Sequence, residues 1–94
     1  MRVGGDVKPP LLLVDVKPVY PQLARAARIQ GTVRIEAIIA RDGTIRDARV
    51  VSGHPLLIAA AIDAVRQWRY RATVLNGVSV EVALALEVNF RLSQ

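Results

Sequence analysis

Over residues 78–92 apolar and polar positions alternate at strict period two. Val78, Val80, Val82, Leu84, Leu86, Val88, Phe90 and Leu92 share one face, and Ser79, Glu81, Ala83, Ala85, Glu87, Asn89 and Arg91 share the other. Strand side chains alternate between faces, so the pattern predicts a long β-strand buried on one side. Residues 32–39 repeat the pattern, with Val33, Ile35, Ala37 and Ile39 on the inner face. Residues 45–51 form a less regular third strand, interrupted by Asp47 and Arg49. Between these two lies Arg41-Asp42-Gly43, a hairpin signal, because aspartate favours turn starts and glycine accepts positive φ.

Two segments change to helical spacing. Pro21 suits a first helical turn, where a missing N–H costs nothing, and residues 22–29 read as a helix. Leu23, Ala24 and Ala27 are expected inward, Arg25 and Arg28 outward, with Gly31 as the stop. Pro55 opens a second helix, expected over 55–68, with Leu57, Ala61, Ala64, Val65 and Trp68 on one face. Residues 11–16 read as a short strand or an extended segment, and 71–77 as a loop entering the last strand through Asn76-Gly77. The lead-in carries Gly4, Gly5, Pro9 and Pro10.

A right-handed crossover that leaves every neighbouring pair antiparallel organises these elements in one way. The fold class is α+β with two layers: a three-stranded antiparallel sheet in the order 2-1-3, both helices on one face, and the long C-terminal strand at an edge. Residues 1–15 are assigned to a flexible or extended lead-in and 16–94 to the domain. The last strand, at about 3.4 Å per residue, reaches about 50 Å. The other strands are about half as long, so part of its edge is expected to lack an internal partner. An unpaired row of N–H and C=O groups accepts another chain or another copy of the same one.

The bulk numbers narrow the function. Ninety-four residues at 52% hydrophobic make one folded domain whose core is mainly aliphatic, since the only aromatics are Tyr20, Trp68, Tyr70 and Phe90. The net charge of +5 comes mostly from arginine and permits nucleic acid, acidic surfaces or acidic peptides as partners. No cysteine is present, so neither disulfides nor thiolate chemistry are available. The longest apolar run, 55–62, is far short of the ~20 residues that span a bilayer. Residues 1–7 are too short and polar for a signal peptide, which leaves a cytoplasmic protein or a domain separated from its targeting segment.

Candidate chemistry is thin. His54, the single histidine, sits between Gly53 and Pro55 and reads as a helix cap; it has no second histidine or cysteine with which to hold a metal. Ser52 has no triad partners, and Asp42 and Asp47 read as solvated acids of the hairpin. No cofactor and no enzymatic activity are expected. The arginines are spread over both helices and both hairpin strands with acids between them, which favours a solvated basic surface over a nucleic-acid face. Trp68 continues the inner helical face and reads as a core anchor, whereas Tyr20, stiffened between Pro18 and Pro21, marks a contact surface.

Taken in order, Tyr20-Pro21, Gly31-Thr32-Val33, Asp42-Gly43-Thr44-Ile45, Val51-Ser52-Gly53, residues 60–65, Trp68-Arg69-Tyr70, Asn76-Gly77 and Val88-Asn89-Phe90 form an ordered set. That set resembles the C-terminal domain of TonB-type energy transducers. Three positions depart from the family's pattern: Ala72 and Ser79 stand where proline is common, and Lys17 where glutamine is common. The resemblance implies a periplasmic module whose full-length protein is anchored in the inner membrane beside a proton-driven motor complex. It implies capture of the Ton box peptide of outer-membrane transporters by strand addition, with force passed on to them. The pairing segment is expected at the backbone of Ala83, Leu84, Ala85, Leu86, Glu87 and Val88, flanked by Lys17, Tyr20 and Pro21. The competing readings are a self-associating structural domain, in which two long strands pair as a homodimer, and a basic nucleic-acid-binding domain.

Overall fold

The computed structural model describes residues 10–92; the first nine residues of the expected lead-in and the last two of the expected domain lie outside the described residues. In chain order the elements are β1 (Leu12–Val14), α1 (Gln22–Ala26), β2 (Gly31–Ile39), β3 (Ile45–Ser52), α2 (Pro55–Val65), β4 (Arg69–Tyr70), β5 (Thr73–Leu75), β6 (Val78–Val80) and β7 (Val82–Phe90). The main sheet has the order β3-β2-β7, all antiparallel, as the crossover argument requires. Two short ladders, β1-β4 and β5-β6, stand beside it.

The alternation seen in the sequence decides the buried face. Val33, Ile35, Ala37 and Ile39 of β2 and Val82, Leu86, Val88 and Phe90 of β7 are buried, and Leu57, Ala61, Ala64 and Val65 of α2 cover them. Full burial of an aliphatic or phenyl side chain is worth about 1.5–3 kcal/mol, so this small aliphatic set is the main stabilising term. Trp68 lies beyond the last turn of α2 and is still buried, its Nε1–H donating to the Val16 carbonyl at 2.9 Å. The Arg69 guanidinium follows it and donates to the Arg66 carbonyl at 3.1 Å, meeting an acceptor the helix end leaves free. His54 caps the other end, Nδ1 accepting from the Leu56 N–H at 3.1 Å.

Several expectations are corrected. The single strand over 78–92 is divided at Glu81, because β6 leaves the sheet to pair with β5 rather than with β2. Asn76 at φ 51° and Gly77 at φ 78° both take the left-handed conformation of a type I′ turn, which makes a hairpin of the segment read as a loop. In α1, helix ends at Ala26 because Arg28 adopts φ 57°. Ile29 N–H then donates to the Ala24 carbonyl at 2.8 Å and Arg28 N–H to the Arg25 carbonyl at 3.0 Å, the paired bonds of a Schellman end. A helix this short turns only one residue inward: Ala24 is buried, while Leu23 and Ala27, expected inside, are exposed.

At the far end of the sheet, the β2–β3 turn is locked onto β4. The Asp42 carboxylate accepts from the Thr44 hydroxyl at 2.7 Å and the Thr44 N–H at 3.0 Å, which holds its pKa below the usual carboxylate value. Gly43, at φ 91°, accepts from the Tyr70 N–H at 2.8 Å through its carbonyl. A Cβ at Gly43 would stand 1.9 Å from the Tyr70 carbonyl oxygen, whereas one at Gly77 would meet nothing within 4 Å. Gly77→Ala is therefore expected to cost only the left-handed penalty of roughly 1–2 kcal/mol. Gly43→Ala adds a backbone clash and should cost about 3 kcal/mol or more in urea unfolding; equal losses for the two variants would contradict the contact.

Candidate functional site

The main sheet has two outer strands, and they differ as docking edges. β3 carries Arg46, Asp47 and Arg49 and shifts register against β2 at two places, features that blunt an edge. β7 pairs with β2 over nine consecutive residues without a shift, from Val82 opposite Ile39 to Phe90 opposite Gly31. Its one charged residue, Glu87, is tied by Arg34 on the neighbouring strand. The edge was expected to be free because β7 had outrun its partners. In fact β2 matches it residue for residue, and it is free because no strand of the described residues lies on its other side. In an antiparallel strand backbone groups point alternately to the two sides, so β7 presents N–H and C=O groups outward along its length.

The C-terminal part of that edge is walled by the segment before α1. Trp68 pins the segment through the Val16 carbonyl, and Tyr20 fixes its other end. The Tyr20 hydroxyl donates to the Ile29 carbonyl, and its ring meets Phe90 edge-on with centroids 5.5 Å apart. The Arg25 guanidinium lies 5.3 Å from the centre of the same ring. Between segment and strand runs a cleft of about 680 Å³, lined by Lys17, Pro18, Tyr20 and Trp68 on one side and residues 87–91 on the other.

The structure thus brings Lys17, Tyr20, Glu87 and Val88 to one cleft. Pro21 stands at the N-cap of α1 and is not among the residues lining the cleft, and Leu86 is buried in the sheet. Ala83, Leu84 and Ala85 lie further along β7 beside a second hollow of about 520 Å³, which Glu36, Ile38, Asp47 and Arg49 complete. Sequence reasoning missed Arg25, Phe90 and Arg91 as cleft residues, and it gave Trp68 to the core alone. Phe90 had a signal, the inner register of β7; the two arginines had none, because they reach the cleft through long-range packing.

The outward face of the sheet, away from its buried side, carries ion pairs. Arg34 pairs with Glu87 and Arg49 with Glu36 across the strands, and Arg46 reaches Glu81 at 2.9 Å. Burial raises the Tyr70 pKa, with the charge of Asp15 adding to it. Among the described residues no group of three histidine, cysteine, aspartate or glutamate side chains is gathered to hold a metal. No described helix is long and apolar enough to cross a membrane. The wall of the cleft is the element most open to test. Tyr20→Phe, which removes the hydroxyl bond but keeps the ring, should destabilise the fold by about 1 kcal/mol in chemical denaturation; an unchanged midpoint would mean that the bond does not hold the segment.

A family model described as Gram-negative bacterial TonB protein C-terminal matches residues 16–92. Protein TonB of Vibrio cholerae is 32% identical over 87 residues, covering 90% of this chain and 36% of that protein. Protein TonB of Klebsiella pneumoniae is 36% identical over 64 residues, covering 66% of this chain and 26% of that protein. The chain therefore spans about a third or less of the length of these relatives. Among solved structures, the solution NMR structure of the Pseudomonas aeruginosa TonB C-terminal domain matches with a TM-score of 0.69 and 28% identity, over 88% of this chain and 86% of that one.

Proposed function

The chain belongs to the family of Gram-negative bacterial TonB protein C-terminal domains, and from that premise we propose that it is the peptide-capturing end of a periplasmic energy transducer. Its partner is the Ton box of an outer-membrane transporter, which adds a strand to β7 over residues 83–88. Main-chain hydrogen bonds supply affinity that tolerates sequence change, and alternate side chains set preference. Force generated by an inner-membrane motor complex reaches the transporter through this β-joint, by way of protein segments beyond this chain. The domain carries no enzymatic role; it belongs to a family of transducers.

One observation carries the reading: among the described residues the outer edge of β7 has no paired strand, and its nine residues keep register with β2 and carry one charge. Ala83 and Ala85 are small enough to let a second backbone lie close. The same edge also accepts a second copy of the chain, giving a strand-paired homodimer, and a concentration-dependent mass distinguishes that arrangement.

The test is a pair of prolines. Successive residues of a strand aim their N–H groups at opposite sides, so one of Leu84→Pro and Ala85→Pro removes a donor facing the open edge and the other a donor facing β2. The variant that keeps a cooperative melting transition should lose more than about tenfold in affinity for a transporter N-terminal peptide, the equivalent of one strong hydrogen bond and its neighbours. Unchanged affinity in that variant would sink strand addition at β7.

A further inference from the structure

The β5–β6 hairpin has no part in the core or in the candidate site. Its strands pair with each other and with no other strand among the described residues. It joins β7 at the Val82 end, remote from Phe90 and the cleft. Its tip is apolar and open to solvent: Val74 is 60% exposed, Leu75 45% and Val78 59%. Leu75 lies opposite Val78, and Val74 opposite Ser79, and residues opposed on paired strands share a face. Apolar side chains therefore stand out on both faces of the hairpin.

Charge surrounds this tip and is absent from it. Residues 72–80 contain no charged side chain. Glu81 closes the hairpin and is paired with Arg46 at 2.9 Å. At the other foot stands exposed Arg71, whose backbone N–H donates to the Leu11 carbonyl at 2.8 Å. The β2–β3 turn, held to Tyr70 through Gly43, sets exposed Arg41 at the same end of the molecule. The one acid of that turn, Asp42, is engaged by Thr44 and feels the charge of Arg69. Among the described residues neither the Arg41 nor the Arg71 guanidinium makes an ion pair.

We infer that the hairpin is a bilayer-contact element: its tip enters the headgroup region of an anionic lipid surface while Arg41 and Arg71 meet the phosphates. A groove on a partner protein covers one face of a hairpin, whereas the interface of a bilayer surrounds both. An apolar tip with a cationic collar suits such a surface, which binds through buried apolar area and attraction to anionic headgroups. Asn76 and Gly77 keep the very end polar but uncharged, so the insertion is shallow and the contact weak and reversible. The hairpin and the cleft lie at opposite ends of β7, so lipid contact leaves the edge open and does not depend on strand addition.

The test is flotation of the domain with vesicles of phosphatidylethanolamine and phosphatidylglycerol, beside vesicles of phosphatidylcholine alone. The domain should float with the first and not the second, and added salt should release it. The triple variant Val74→Thr, Leu75→Thr, Val78→Thr keeps strand propensity but loses apolar character; its partition should fall more than about tenfold. Arg41→Gln with Arg71→Gln should lose roughly fivefold for each arginine. In bicelles of the anionic mixture, a spin-labelled lipid should broaden the amides of residues 74–78 in the unaltered domain and spare those of 83–90. Absence of flotation, or broadening that avoids 74–78, would overturn the inference. So would flotation that a folded threonine variant retains, because charge alone would then hold the domain. A mass that rises with concentration, and returns to the monomer in the threonine variant, would give the tip to a second copy of the chain and overturn lipid contact.

Discussion

The antiparallel ladder between β2 and β7 is the constraint on which the rest depends. It joins residues far apart in the chain, from Gly31 with Phe90 to Ile39 with Val82, and its nine pairs run without a slip. A slip of one residue by β7 would turn Val82, Leu86, Val88 and Phe90 outward while β2 kept its face, and the inner face of β7 would be exposed. Cross-strand matches on the solvent side reinforce the register: Thr32 meets Asn89 at 2.6 Å, and Arg34 meets Glu87. Exposed pairs of this kind add little stability, but they oppose the misregistered alternatives.

Because the ladder uses one side of β7 completely, the other side is straight and in register with itself. That makes it a template for a further strand, while β3, with its register shifts and three charges, is a poor one. The segment from Val16 to Tyr20 then adds direction, by closing a cleft at one end of an otherwise uniform edge. Its hold depends on two hydrogen bonds to backbone carbonyls, from Trp68 and Tyr20, together with the Tyr20–Phe90 ring contact.

Local periodicity made much of this legible. The alternation in β2 and β7, the Asp42-Gly43 turn and the inner face of α2 depend on neighbours in the sequence, and the structure realises each of them. The division at Glu81 was hidden because β6, as one half of a hairpin, keeps the same alternation as the strand it precedes; Asn76-Gly77 was its only marker. Arg28 gave no sign that it would take a left-handed conformation and end α1 early. The cleft was half legible: Tyr20 stood out between prolines, but its meeting with Phe90, and the placing of Lys17 and Arg91 along one cleft, comes from tertiary packing that no local pattern encodes.

The most direct test is an NMR titration of the isotope-labelled domain with a transporter N-terminal peptide that contains a Ton box. Amide shifts should concentrate at residues 83–88 and around Tyr20, with β3 unmoved. Shifts on β3 would contradict the assignment of the edge. A silent titration, with the amides of 83–88 already protected from exchange, would contradict peptide capture and show the edge occupied by a second copy of the chain.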